Sequence, residues 1–90
     1  MVKKLMHQHN TKSISVKLHA SLGQYKPIDA DSLTFDMKIS EEMTVLELLV
    51  LLSIPNEIIK MISLNDKLVK STATLSDGDR LILFSTIAGG

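Results

Sequence analysis

Ninety residues allow one small domain with a modest core, and 44% hydrophobic with 22% charged residues describe a folded chain rather than a disordered one. Ten basic and ten acidic residues cancel, and the aromatics are only Tyr25, Phe35 and Phe84, so the composition argues against nucleic-acid and anionic-membrane partners. There is no cysteine, which excludes disulfides, thiolate metal sites and a thiol nucleophile.

Residues 1–12 show no hydrophobic period and are expected to form a flexible N-terminal extension. Leu5-Met6-His7-Gln8-His9-Asn10 never becomes the apolar stretch of a secretory leader, and the later leucine-rich run is too short to span a bilayer. A cytoplasmic location is the expectation. His7 and His9 are two imidazoles without a third ligand, which is not a metal site.

Ile14 to Leu22 alternates. Ile14, Val16, Leu18, Ala20 and Leu22 share one side, and Ser15, Lys17, His19 and Ser21 the other, which predicts a strand with one wet face. His19 falls on the wet side and reads as a solvated residue, not a base. Gly23, Pro27, Asp29 and Asp31 punctuate a loop. Leu33 to Ser40 then alternates again with Leu33, Phe35, Met37 and Ile39 inward, so the two strands are expected to pair antiparallel.

Thr44-x-x-Glu47 is a capping box that opens a helix, with Met43 and Leu48 placed for a hydrophobic staple. Val45, Leu48, Leu49 and Leu52 form the core stripe. Leu46 and Val50 lie off that stripe and are expected to be covered by the long loop, the N-terminal extension or a partner chain. Ile54-Pro55 stops the helix. Asn56 to Lys60 suggests a helical turn, Lys60 to Leu64 a short strand, and Asn65-Asp66 a turn into Leu68-Val69. Ser76-Asp77-Gly78-Asp79 is a further turn, with Gly78 free to take positive φ; its two carboxylates read as structural, not as a cation site. Arg80 to Ser85 is apolar at four successive positions and predicts a central strand buried on both faces.

The chain closes on Ile87-Ala88-Gly89-Gly90. Two glycines forfeit the most backbone entropy on ordering and have nothing to pack, so folding does not ask for them. They do make a thin tip whose carboxylate another protein's active site can approach. The expected organisation is a folded domain over 13–86 and a flexible tail over 87–90. No nucleophile–base pair, metal-ligand set or phosphate loop is present, so no enzyme is expected.

From Ile14 onward the chain resembles the ubiquitin-like sulfur carriers of the MoaD/ThiS family. The matching pieces are Val16-Lys17-Leu18-His19-Ala20-Ser21-Leu22, Thr44-Val45-Leu46-Glu47-Leu48-Leu49, Ile54-Pro55-Asn56-Glu57, the Leu64-Asn65-Asp66 turn, Leu75-Ser76-Asp77-Gly78-Asp79-Arg80-Leu81 and the Gly89-Gly90 ending. The resemblance implies an α+β, β-grasp fold with a mixed sheet of four to five strands on one main helix. It also implies a non-catalytic carrier with no bound cofactor. An adenylating enzyme of the ubiquitin-activating type would use ATP at Gly90, with Gly89, Ala88 and Ile87 recognised as the tail. The Gly90 carboxylate would then be converted to a thiocarboxylate that donates sulfur, with molybdopterin (molybdenum or tungsten cofactor) synthesis the first expectation and the synthase large subunit or another acceptor enzyme as partner. Phe84 falls where the molybdopterin type places a partner-contact residue. Ser85 and Thr86 stand where the family often has a proline pair, and Asn65-Asp66 where it has Asn-Gly. A protein modifier conjugated through Gly90, a thiamin-type carrier and a plain β-grasp interaction domain are the alternatives.

Overall fold

The computed structural model describes residues 11–40 and 42–85. Its strands are β1 (Thr11–Leu18), β2 (Thr34–Ser40), β3 (Ile59–Leu64), β4 (Lys67–Val69) and β5 (Arg80–Ser85), and its helix is α1 (Val45–Leu51). They form one sheet in the order β2-β1-β5-β3-β4. β1 pairs antiparallel with β2 and parallel with β5, while β3 pairs antiparallel with both β5 and β4. One main helix on one face of this mixed sheet makes the expected α+β, β-grasp arrangement.

The alternation read from the sequence sets the register. Ile14, Val16 and Leu18 of β1, Leu81 and Leu83 of β5 and Ile62 of β3 meet Val45, Leu48 and Leu49 of α1 in a single buried cluster. Ile39 of β2 joins it, and Leu22, Ile54 and Leu75 complete it from the connections. The capping box forms as expected: the Glu47 amide donates to Thr44 Oγ1 at 3.2 Å, and the Thr44 amide to Glu47 Oε1 at 2.8 Å.

Several expectations are corrected. The first strand does not run to Leu22: it ends at Leu18, and a 3-10 turn follows over Ala20–Tyr25. Leu22 is still fully buried, because its amide bonds back to the His19 carbonyl at 3.1 Å and the curl returns the side chain to the core. Thr11 and Lys12, placed in the extension from sequence, already pair with Ser40 and Ile39 in β1. Residues 1–10 lie outside the described residues.

β5 is central, as expected, but it is not buried on both faces. Leu81, Leu83 and Ser85 are buried, whereas Ile82 and Phe84 are half-buried on the opposite face, because among the described residues α1 covers only one side of the sheet. Leu33 was expected inward and is 42% exposed, just before β2 begins. Leu46 and Val50 are 40% and 72% exposed, so the long loop does not cover them as expected. A seven-residue helix has room for only one core-facing stripe, and these two fall beside it.

Candidate carrier surface around the last strand

β5 is the last described element and leads directly towards the tail. Its start is fixed by a side-chain network that links two turns. The Asn65 amide donates to the Arg80 carbonyl at 2.9 Å, and the Arg80 amide donates to Asn65 Oδ1 at 2.9 Å. Asn65 Nδ2 donates to Asp79 Oδ1 at 2.8 Å, and the Ser76 amide donates to Asp79 Oδ2 at 2.6 Å. Asp77 Oδ1 accepts from the Ser13 amide at 2.7 Å. The acidic pair around Gly78 is thus engaged in holding β5 and β1, in agreement with the structural reading. Among the described residues no group of three or more His, Asp or Glu could hold a metal.

At the far end of β5, Phe84 stands on the face of the sheet away from α1. Its neighbour on β3 is Met61, and its ring stacks on His19 with centroids 4.6 Å apart. One step earlier, Ile82 lies between Lys17 of β1 and Ser63 of β3, and Ser63 faces Leu68 of β4. Met61 and Leu68 are 45% and 70% exposed. The open face therefore carries an apolar strip of Met61, Leu68, Ile82 and Phe84, bordered by Lys17 and His19. Phe84 alone was singled out from the sequence. The apolar residues at both parities of Arg80–Ser85 were the available signal for the strip. His19, expected to be solvated, is half-buried under Phe84. Ile87, Ala88, Gly89 and Gly90 lie outside the described residues, so their expected roles are carried by the sequence alone.

The sheet order and single packed helix place the molecule in the ubiquitin-like, β-grasp class. A family model described as the ThiS family matches residues 22–90, and the chain belongs to that family. Among solved structures it is similar to the Haloferax volcanii HVO 2177 protein at 19% identity, with a TM-score of 0.68 over 90% of this chain and 89% of that one. It is similar to small archaeal modifier protein 1 of H. volcanii at 19% identity, with a TM-score of 0.64 over 84% and 99%. A putative molybdopterin converting factor subunit 1 from Pyrococcus furiosus matches at 18% identity, with a TM-score of 0.63 over 84% and 99%. At such identities these likenesses speak for the fold alone. No curated protein sequence matches. Among the described residues no helix is long and apolar enough to cross a membrane.

Proposed function

We propose that this chain is a ubiquitin-like carrier whose Gly90 carboxylate is adenylated by an ATP-using activating enzyme and then transferred to an acceptor. The observation that carries this reading is the ThiS-family match, which runs through residue 90 and so includes a tail that folding does not require. A C-terminal carboxyl has a pKa near 3.5 and is an anion at neutral pH, hence a poor electrophile. Attack of that carboxylate on the α-phosphorus of ATP releases pyrophosphate and leaves an acyl adenylate. A nucleophile then displaces AMP. The chain acts as the substrate of these steps, with Gly89, Ala88 and Ile87 threading the enzyme's channel. The strip around Phe84 provides the docking surface, since buried aromatic anchors typically dominate such interfaces.

For the last step, conjugation to lysine amines of other proteins comes first, because small archaeal modifier protein 1 recurs among the solved structures that share this fold. The amine displaces AMP and an isopeptide bond forms at Gly90. Sulfur transfer is the second reading, supported by membership of the ThiS family and by a chain without cysteine. There sulfide displaces AMP, the C–S bond forming as the C–O bond to AMP breaks, and leaves a thiocarboxylate for thiamin or molybdopterin synthesis.

One experiment separates them. The chain is incubated with a cognate activating enzyme, ATP, candidate target proteins and a sulfur donor. Arg80 is the last tryptic site, so conjugation would leave a branch of residues 81–90 on target lysines. Sulfur transfer would instead shift the intact mass by exchange of one oxygen for sulfur. Deleting Gly90, or adding one residue after it, should abolish either product while the unfolding transition stays in place. Altered tails that still react, or that unfold, would overturn the proposal.

A further inference from the structure

The edge strand β2 carries a pattern that the carrier reading does not use. Leu18 donates to the Leu33 carbonyl at 2.9 Å, and the β1–β2 register continues from there without a shift. In an antiparallel pair the backbone groups of alternate residues turn to opposite sides. Phe35, Met37 and Ile39 therefore turn their N–H and C=O groups to β1, while Thr34, Asp36 and Lys38 turn theirs to the free edge. At Thr34 this edge is closed locally: Ser32 Oγ donates to the Thr34 carbonyl at 2.8 Å and accepts from the Thr34 amide at 3.2 Å. Asp36 and Lys38 have no such clamp among the described hydrogen bonds.

Among the described residues nothing pairs with this edge; an open edge invites another strand, and natural sheets usually blunt it with charged side chains, proline, a bulge or a very short strand. The other edge, β4, has only three residues. β2 has seven, no proline and no bulge. Its two outward charges are of opposite sign, and across β1 they face only Ser15 and Ser13. On the other face Phe35 and Met37 are only partly buried against the core.

We propose that the β2 edge is a self-complementary interface for a second copy of this chain. Antiparallel pairing about a two-fold axis at Met37 sets Asp36 of each copy opposite Lys38 of the other. Those two positions carry the free backbone groups, so four N–H···O=C bonds and two ion pairs form together. The same register sets Phe35 opposite Ile39 and brings the two Met37 side chains together at the axis. Self-complementarity of this kind is what a closed two-fold dimer requires. Because one short strand buries little area, the dimer is weak, in the micromolar-to-millimolar range. The strip around Phe84 lies on a sheet face, not on this edge, so dimerisation leaves it open.

Sedimentation equilibrium over micromolar to millimolar concentrations tests this. Wild type should show a monomer–dimer equilibrium. Asp36→Lys alone or Lys38→Asp alone sets like charges opposite each other twice and should weaken it about tenfold. The swapped double variant, Asp36→Lys with Lys38→Asp, restores opposite signs in both pairs and should restore the dimer. Amide exchange at Asp36 and Lys38 should slow as concentration rises, with Thr34 unchanged. Both side chains are exposed, so the variants should fold normally, and circular dichroism verifies this. A chain that stays monomeric at millimolar concentration overturns the proposal. So does a dimer indifferent to the single substitutions, or one that the swap fails to rescue.

Discussion

The His19 ring lies over the Phe84 ring, with centroids 4.6 Å apart and planes 15° from parallel. The backbone explains how they meet. β1 ends at Leu18, but the His19 amide still donates to the Leu83 carbonyl at 3.0 Å and extends the parallel pairing by one residue. His19 then stands beside Phe84 on the open face. The last aromatic before the tail is thus held on both flanks, by His19 and by Met61.

That placement separates Phe84 from its neighbour Leu83 in what each change should do. Leu83 is fully buried under α1, and Leu83→Ala should lower stability by about 2–5 kcal/mol. Phe84→Ala removes a half-buried ring and one stacking contact from the uncovered face, and should cost roughly 1–2 kcal/mol. Urea unfolding of the two variants measures the difference. Affinity for the activating enzyme should fall for Phe84→Ala at temperatures where it remains folded. Equal losses of stability for the two would place Phe84 in the core and remove it from the docking surface.

How far the sequence was legible depends on the range over which each feature is determined. The Thr44–Glu47 box is local, so spacing alone located it. Period-two patterning gave Ile14, Val16 and Leu18 their face because a strand's side chains alternate whatever it pairs with. The same pattern misled at Leu22: a 3-10 turn can bury a residue that also suits a strand. The exposure of Ile82 and Phe84 depends on how many layers cover the sheet, which no window within β5 records. The bond between Asn65 and Asp79 joins residues fourteen apart and could not be read from either turn alone. The tail is the reverse case, visible in sequence and outside the described structure.

The helix is only seven residues long, so its start should matter to the whole fold. Thr44→Ala removes the oxygen that accepts the Glu47 amide and should cost about 1 kcal/mol. Glu47→Ala removes the reciprocal bond to the Thr44 amide. Because the two bonds share one turn, the double variant should lose less than the sum of the singles. Denaturant midpoints for the four proteins of this cycle give the coupling directly, and strict additivity would mean that the two bonds act independently.

The turn between β3 and β4 should give opposite results at two adjacent residues with the same backbone handedness. Asn65 and Asp66 have φ of 54° and 72°, the pair of positive values that a two-residue hairpin of type I′ requires. Glycine adopts this region without strain, so backbone alone would favour it at both positions. At Asp66 the side chain contributes only an ion pair to Arg80 at 3.1 Å, with the two partners 72% and 59% exposed. Such a pair is screened by water and worth little. Asp66→Gly should therefore raise stability, by up to about 1 kcal/mol. At Asn65 the side chain bonds both Asp79 and the Arg80 amide. Asn65→Gly strands those partners and should lower stability by more than about 1 kcal/mol despite the easier backbone. Urea midpoints at low and high salt test the argument. The gain for Asp66→Gly should persist or grow in high salt, where the ion pair is weakest. A loss at Asp66 that salt abolishes would show that the Arg80 pair outweighs the backbone, and a gain at Asn65 would show that its network does not hold β5.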